Sequence, residues 1–263
     1  MKKAHSKDGT AIAFDKTGQG PAIILVGGAL SDRSAAAPLA LLLAPHFTVF
    51  AYDRRGRGDS GDTAPYAVER EVQDIQALIN EAGGSAFVFG GSSGAVLALE
   101  AAARGLAITK LAMYEPPFIV DDSRPPVPSN YIAQLNALVS SGRRGDAVEF
   151  FMTKAVGVPD DYLAQMRDMP MWAEMEKVAH TLAYDGKIMG DNMAGHPLQT
   201  KQWASVTVPT LVMDGGASPA WARNAVQALA DALPNARRCT LEDQTHGVDP
   251  AVLAPVLVEF LTS

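Results

Sequence analysis

Short apolar runs recur along the chain, and most of them are bounded by glycine or proline. They are rich in Val, Ile, Leu and Phe and shorter than a typical helix, which indicates strands buried in a sheet. A weaker pair of segments, 3–6 and 10–16, is joined at Asp8-Gly9 and predicts an edge hairpin. The predicted buried strands cover residues 22–26, 47–52, 86–89, 110–114, 210–213 and 237–241.

Helical patterns lie between these strands, with apolar residues spaced three and four positions apart. Strands that alternate with helices are typical of the α/β class, in which helices cover both faces of a mainly parallel sheet. We therefore predict an α/β fold with a central sheet flanked by helices. The predicted helices cover residues 35–43, 68–81, 94–104, 221–233 and 251–261.

The alternation stops between residues 116 and 206, where a Pro-rich stretch is followed only by helical patterns. This segment is predicted to be a helical cap inserted into a core made of residues 1–115 and 207–263. Seven of the ten methionines lie in it, and flexible thioethers suit a pocket that adapts to an apolar ligand. We expect Met152, Met171 and Trp172 to bind substrate, although such residues could instead pack the cap onto the core.

Composition and charge exclude several classes of protein. The 263 residues are 48% hydrophobic, which excludes disorder, and the single cysteine, Cys239, excludes a disulfide scaffold. With 22 basic against 29 acidic residues, the net charge of -7 disfavours nucleic acid as a partner. The start of the chain lacks an apolar signal region, and no apolar run is long enough for a membrane span. We expect a soluble cytoplasmic protein and leave homodimerisation open.

Residues 90–94, Gly-Gly-Ser-Ser-Gly, match the GxSxG pattern of a nucleophilic serine. The match gains weight from its setting, because a predicted strand precedes it and a predicted helix follows. A sharp turn of this kind crowds the backbone at the serine, so Gly90 and Gly94 must be small. Ser92 is the predicted nucleophile. The looser pattern Gly91-x-Ser93-x-Ala95 offers Ser93 as an alternative, but it forms a poorer turn.

A serine hydroxyl needs an imidazole base, and the imidazole needs an acid that fixes its tautomer. His246 lies in the loop after the last predicted strand, which in a parallel sheet ends at the same edge as the serine turn. We predict that His246 is the base. The other four histidines, at positions 5, 46, 180 and 196, occupy the hairpin, a helix end and the insertion, where surface or packing roles are expected.

The chain resembles α/β-hydrolases over essentially its whole length. The resemblance rests on residues 24–29 (Ile-Leu-Val-Gly-Gly-Ala), residues 52–60 (Tyr-Asp-Arg-Arg-Gly-Arg-Gly-Asp-Ser), the serine turn and the late histidine. It implies that the backbone N–H groups of Ala29 and Ser93 form an oxyanion hole, with Gly28 and Leu30 beside the substrate. The family often has His-Gly where this chain has Gly27-Gly28, which changes the support of the Ala29 amide.

The acid departs from the commonest pattern of that family. Ser218 occupies the position after the seventh strand where an aspartate is usual, and a serine cannot supply an anion. Proteins similar to haloalkane dehalogenases place the acid after the sixth strand, and Glu115 matches that position. We predict Glu115 as the acid and keep Asp214, which comes early for the role, as the alternative.

Two other kinds of site have little support in the sequence. Residues 56–61 match GxGxxG, but residues 62–65, Asp-Thr-Ala-Pro, intervene before any helix, whereas a dinucleotide site needs a helix to start at the glycines. No motif with metal-ligand spacing occurs in the sequence. We therefore expect no cofactor and no metal.

Together these features predict a serine hydrolase that cleaves carboxylic esters through an acyl-enzyme on Ser92. The methionine-rich cap and the lack of a conspicuous basic cluster favour an uncharged, mainly apolar ester of small to medium size as the substrate. A lactonase, a perhydrolase or a C–C hydrolase would use the same residues, and a ligand receptor on this fold is a further alternative. Multiple turnovers on an ester would distinguish an enzyme from a receptor.

Overall fold

A single eight-stranded sheet forms the centre of the protein in the computed structural model, which describes residues 1–199 and 201–263. The strand order is β1-β2-β4-β3-β5-β6-β7-β8, and β3 to β8 run parallel, while β1 and β2 are antiparallel additions at one edge. The strands are β1 (Lys2–His5), β2 (Ala11–Thr17), β3 (Ala22–Val26), β4 (Thr48–Tyr52), β5 (Ala86–Gly91), β6 (Ile108–Tyr114), β7 (Thr210–Gly215) and β8 (Ala236–Leu241).

Each predicted strand has its counterpart in this sheet, so the predicted fold class is confirmed. The largest differences are of two residues: β6 starts earlier than predicted, at Ile108, and β5 and β7 each continue further, to Gly91 and Gly215. Both glycines still pair with the neighbouring strand, Gly91 with Tyr114 and Gly215 with Leu241. The sheet therefore extends up to the loops that carry the predicted site.

Among the residues that the structure describes, five α-helices cover the two faces of the sheet. Before the first helix, Asp32 caps a short 3-10 turn, Arg33–Ala36, by accepting the Ser34 N–H at 2.8 Å. The α-helix consequently starts later than predicted, at Ala37. The helices are α1 (Ala37–Leu43), α2 (Val68–Glu81), α3 (Ser93–Ala103), α9 (Ala220–Ala232) and α10 (Pro250–Thr262).

The alternation of side chains along each strand divides the core into two layers. In β3, Ile23 and Leu25 face the cluster that contains α1 and α10, whereas Ile24 and Val26 face the cluster that contains α2, α3 and α9. All four side chains are buried. The sheet is therefore packed between two helical layers, which fixes where its strand ends lie.

In its described residues, the segment between β6 and β7 contains five more α-helices, and we call this segment the cap. They are α4 (Tyr131–Ser140), α5 (Arg144–Phe151), α6 (Asp160–Arg167), α7 (Pro170–Lys177) and α8 (Leu182–Met189). A π-helical turn, Met152–Val156, continues α5, and α8 packs against α3 and α4. Across the described part of the chain, none of the helices combines the length and the apolar character that crossing a bilayer requires.

Candidate active site

Ser92 lies in a strained turn between β5 and α3. Its backbone has φ 55° and ψ -129°, a conformation that non-glycine residues adopt only where the surrounding structure imposes it. A Cβ on Gly90 would lie 2.4 Å from the Gly94 carbonyl oxygen, and one on Gly94 would lie 2.3 Å from the Val26 carbonyl oxygen. Both glycines are thus required by close approach, and the second holds the start of α3 against the end of β3.

Glu115 and His246 meet at the carboxyl ends of the strands. Glu115 directly follows β6, has φ 44° and is 2% exposed. One carboxylate oxygen accepts the Gly215 N–H at 2.9 Å, and the other lies 2.7 Å from His246 Nδ1. Burial alone would raise the pKa of Glu115, but the interactions with His246, with the Ser218 hydroxyl and with the Gly215 amide outweigh it and lower the pKa. The carboxylate therefore stays charged beside the imidazole.

Asp214, the alternative acid, is engaged elsewhere. It is fully buried within β7, and its carboxylate accepts bonds from Arg238, at 2.6 and 3.1 Å, and from Thr240 Oγ1 at 3.0 Å. Ser218, at the position usual for the acid, is buried, and its hydroxyl helps to lower the pKa of Glu115. Of the two predicted carboxylates, the structure brings Glu115 to His246 and ties Asp214 to β8.

A cavity of about 1030 Å³ lies between this edge of the sheet and the cap. Ser92, Glu115 and His246 all line it. A smaller cavity of about 490 Å³ opens on the other side of the loop after β3 and shares Ser92 and His246 with the first. The wall of the large cavity is mainly apolar, with side chains from the cap and α9 that include Tyr131, Phe151, Met152, Met175, Met189, Met193 and Trp221.

Four of the five predicted substrate-binding residues, Gly28, Leu30, Met152 and Met171, line the large cavity. Trp172 lies elsewhere, because its side chain is buried in the packing of the cap and its indole N–H donates to Glu176 at 3.0 Å. Consecutive residues of a helix point about 100° apart. Met171 therefore faces the cavity while its neighbour turns into the cap.

The loop after β3 lies directly against the serine turn. A Cβ on Gly28 would lie 3.1 Å from Ser92 Cβ, so the peptide that links Gly28 to Ala29 is adjacent to Ser92. As the first residue of α3, Ser93 carries one of the N–H groups that have no partner inside the helix. Ala29 and Ser93 both line the cavity beside Ser92.

The carbonyl of Gly28 is held by two donors. Arg57 Nη1 donates to it at 2.6 Å and Ser31 Oγ at 2.8 Å. A Cβ on Gly27 would lie 2.8 Å from Ser31 Oγ, so the histidine that is usual in the family would crowd this arrangement. In this chain an arginine and a serine support the loop through the Gly28 carbonyl.

A buried ionic cluster, which no motif in the sequence predicts, connects this loop to the cap. Asp185 of α8 is 4% exposed and accepts bonds from Arg54 at 2.8 Å, from Arg57 at 2.6 Å and from the Ser93 hydroxyl at 2.7 Å. Arg54 also forms a two-pronged pair with Glu71, at 2.8 Å for both bonds. The Ser93 hydroxyl is thus committed to Asp185, whereas the Ser92 hydroxyl makes no hydrogen bond to a described residue.

Arg54 and Arg57 of this cluster both lie in the motif at residues 52–60, whereas nothing in the sequence pointed to their partner, Asp185. Asp185 comes from an insertion with no pattern that points to it. Burial alone would raise the pKa of Asp185, and the charges of Arg57 and Arg54 outweigh that effect and lower it. The carboxylate is therefore ionised, and the cluster holds paired charges rather than neutral groups.

The remaining candidates lie away from Ser92. His180 packs near Asp62, with 3.7 Å between Nε2 and the carboxylate, and burial lowers its pKa. His196 lines a separate cavity near α2. The glycines at 56–61 lie in a turn, and α2 does not begin until Val68. Within the described residues, no group of three or more His, Cys, Asp or Glu side chains is arranged to hold a metal ion.

Comparison with known proteins agrees with this architecture. The sequence pattern of the Alpha/beta hydrolase family matches residues 23–256. The chain belongs to this family. A crystal structure of an alpha/beta hydrolase from Sphaerobacter thermophilus DSM 20745 has a TM-score of 0.93 and is 63% identical, over 99% of this chain and 100% of that chain.

More distant hydrolases share the fold or part of the sequence. The enol-lactonase from Burkholderia xenovorans LB400 has a TM-score of 0.72 at 24% identity, with all of both chains covered. A pimeloyl-[acyl-carrier protein] methyl ester esterase of Xanthomonas campestris is 37% identical over 101 residues, which is 38% of each chain. This chain spans between 35% and 38% of the length of the curated hydrolases it matches.

Proposed function

We propose that this hydrolase cleaves carboxylic esters, with Ser92 as nucleophile, His246 as general base and Glu115 as the acid that orients the imidazole. The observation that carries the proposal is the 2.7 Å contact between Glu115 and His246 Nδ1, beside a serine in a strained turn. A carboxylate at Nδ1 keeps the proton on that nitrogen and leaves Nε2 free to accept the proton of Ser92.

In the first step, Ser92 Oγ attacks the carbonyl carbon of the ester while His246 Nε2 takes its proton. The oxyanion is stabilised by the N–H groups of Ala29 and Ser93, and each such donor typically contributes about 3 to 4 kcal/mol to the transition state. His246 then gives the proton to the leaving alcohol. A water molecule, deprotonated by His246, attacks the acyl-enzyme and releases the acid and Ser92.

The two cavities that meet at Ser92 and His246 support an ester as the substrate. An ester has two arms, and cavities of about 1030 and 490 Å³ on either side of the nucleophile give each arm its own space. The larger one is mainly apolar, which favours a hydrocarbon acyl chain or alcohol. The partial likeness to a methyl ester esterase is consistent with this chemistry.

Steady-state hydrolysis of p-nitrophenyl butyrate tests the proposal. We expect multiple turnovers by the parent protein and loss of activity in Ser92→Ala, with labelling of Ser92 by a fluorophosphonate in the parent only. Ser205→Ala serves as the control, because this exposed serine lies outside both cavities. Tight binding of the ester without turnover would indicate a receptor, and labelling at Ser93 would overturn the assignment of the nucleophile.

A further inference from the structure

Two cations line the large cavity, Arg124 and Lys154, and neither forms an ion pair with a described residue. Lys154 is exposed to solvent, so the partly desolvated charge is that of Arg124. Arg124 is half-buried in the loop between β6 and α4, and it forms no ion pair with any described residue. Burial lowers its pKa, with no nearby carboxylate to offset the effect. An arginine nevertheless remains charged at neutral pH. A partly desolvated guanidinium of this kind is stabilised when an anion binds to it.

The guanidinium is held in place without using all its donors. It stacks on the Trp221 ring, 4.4 Å from the ring centre, and donates to the carbonyls of Ala155 at 3.1 Å and Lys154 at 3.3 Å. Arginine has five N–H donors, so N–H groups remain for a ligand. Stacking fixes the plane of the group, and a fixed plane suits two-pronged binding of a carboxylate.

The acidic residues that line the same cavity are already paired. Glu115 is bonded to His246 and to the Gly215 amide, and Asp185 is bonded to two arginines. Glu174, at the exposed rim, is bonded to Lys177 at 2.6 Å. A negatively charged ligand would therefore meet Arg124 without meeting an unpaired carboxylate.

We propose that Arg124 binds a free carboxylate of the substrate, so that the ester cleaved at Ser92 is a monoester of a dicarboxylic acid. This inference rests on the proposed function and names its substrate class. It replaces the uncharged ester expected from the sequence. That expectation rested on the lack of a basic cluster, and a single arginine such as Arg124 forms no cluster that the sequence would show. The apolar wall then surrounds the carbon chain that separates the two carboxyl groups.

Two matched series of p-nitrophenyl esters test the proposal: monoesters of succinic, glutaric and adipic acid, and the neutral butanoate, pentanoate and hexanoate. The parent should prefer at least one acid ester over its neutral counterpart. Arg124→Met should lower kcat/KM for that acid ester by about ten- to a hundredfold and change the neutral ester by less than about threefold. Arg124→Lys keeps the positive charge but not the planar guanidinium, so its kcat/KM for the acid ester should lie between those of the parent and Arg124→Met.

Arg144→Met is the matched control. Arg144 also donates to two backbone carbonyls of the cap, those of Glu176 and Lys177, but it does not line the cavity. If Arg124 only ties the cap together, both variants will affect both ester series equally, and the proposal is overturned. It is also overturned if the parent shows no preference for any acid ester.

A binding measurement separates this inference from the proposed function. Glutarate and adipate should bind to Ser92→Ala and change the fluorescence of Trp221, and Arg124→Met should abolish the change. Binding without hydrolysis of any ester would leave the anion site standing and refute the esterase. Hydrolysis of the neutral esters without dicarboxylate binding would refute the anion site alone.

A second inference comes from the buried cluster around Asp185. The Gly28 oxygen that Arg57 holds belongs to the same planar peptide as the Ala29 N–H, so the bond fixes the direction of that N–H. Asp185 in turn holds Arg57, and it also accepts the hydroxyl of Ser93, whose N–H is the other oxyanion donor. The Asp185 carboxylate thus contacts both Arg57, which holds the Gly28–Ala29 peptide, and the side chain of Ser93.

We infer that Asp185 is a positioning residue that aligns the two oxyanion N–H groups and makes their alignment depend on how α8 of the cap is seated. This inference also rests on the proposed function. Asp185→Asn should lower kcat by about ten- to a hundredfold with little change in KM, because the oxyanion exists only in the transition state. Affinity for a boronic acid, which forms a tetrahedral adduct on the serine, should fall by a similar factor.

Asp74→Asn separates alignment from simple loss of a buried charge. Asp74 is equally buried and forms a two-pronged pair with Arg55, at 2.6 and 2.8 Å, but it does not contact the loop after β3. We expect both variants to unfold at lower temperature and only Asp185→Asn to lose kcat and boronic acid affinity. If Asp185→Asn and Asp74→Asn had equal kcat values, the positioning role of Asp185 would be refuted.

Discussion

Replacement of Glu115 by glutamine isolates the charge of the proposed acid while its shape is kept. The carboxylate accepts two hydrogen bonds, from the Gly215 N–H at 2.9 Å and from His246 at 2.7 Å. A glutamine can keep its oxygen toward Gly215 only by turning its NH₂ group toward Nδ1 of His246. Nδ1 must then accept a hydrogen bond, and the proton of the neutral imidazole moves to Nε2, where it blocks transfer from Ser92.

The expected loss in kcat is therefore that of a wrong tautomer, about 10⁴-fold, or about 5 kcal/mol of transition-state stabilisation. Steady-state hydrolysis of p-nitrophenyl butyrate measures it, with circular dichroism to show that the variant is folded. Because the Gly215 bond is kept, the variant should remain folded. Labelling of Ser92 by a fluorophosphonate should be slower, because His246 no longer acts as its base.

Asp214→Asn is the matched comparison, since it removes a fully buried carboxylate on the neighbouring strand. The variant weakens charged hydrogen bonds from Arg238, each typically worth about 1.5 to 3 kcal/mol, so stability should fall. Its kcat should stay within about threefold of the parent value. Full activity in Glu115→Gln together with none in folded Asp214→Asn would refute the reasoning and reverse the assignment of the acid.

Three further predictions concern the framework of the site. Gly94→Ala should abolish activity and destabilise the fold, because the new Cβ would lie 2.3 Å from the Val26 oxygen; activity and thermal unfolding measure both effects. Trp203→Ala should cost about 3 to 5 kcal/mol in urea unfolding, since the ring is fully buried and stacks on Phe118. Bonds from the Thr10 hydroxyl and N–H and from Arg55 outweigh burial and lower the pKa of Asp8. The ionised Asp8 therefore stabilises the fold above its unfolded pKa near 3.8, and this stabilisation is lost as the pH falls below that value. The free energy of unfolding should consequently depend less on pH in Asp8→Asn than in the parent between about pH 5 and pH 2.

The strands and the serine turn could be predicted because their signals are local. A buried strand needs a short apolar run, and the turn at Ser92 needs small residues two positions away on each side, so both leave marks within a few residues of sequence. The helix α2 was predicted with its observed ends for the same reason, since Val68–Glu81 has a clear apolar stripe.

The charged contacts of the site were harder to predict from the sequence. Glu115 could be proposed as the acid only from a resemblance, because the residue that it meets is His246 on a distant loop. Asp185 and Arg124 lie in the insertion, where the pattern predicts helices but not their packing. Whether an acid or an arginine there is paired depends on tertiary contacts alone, and Trp172 shows the same difficulty for an apolar residue.

Backbone strain gives the site a common physical basis. Among the described residues, four that are not glycine have positive φ, and three of them, Leu30, Ser92 and Glu115, line the large cavity. Ser92 and Glu115 directly follow a parallel strand, and Leu30 lies in the loop after β3, so all three occur where the chain turns away from the sheet. Glycine would relieve the strain at each position, but it would remove the hydroxyl of Ser92 and the carboxylate of Glu115. The packed sheet and the close contacts at Gly90 and Gly94 stabilise these turns, so the rigid core holds Ser92 and Glu115 in backbone conformations that an isolated loop would not keep.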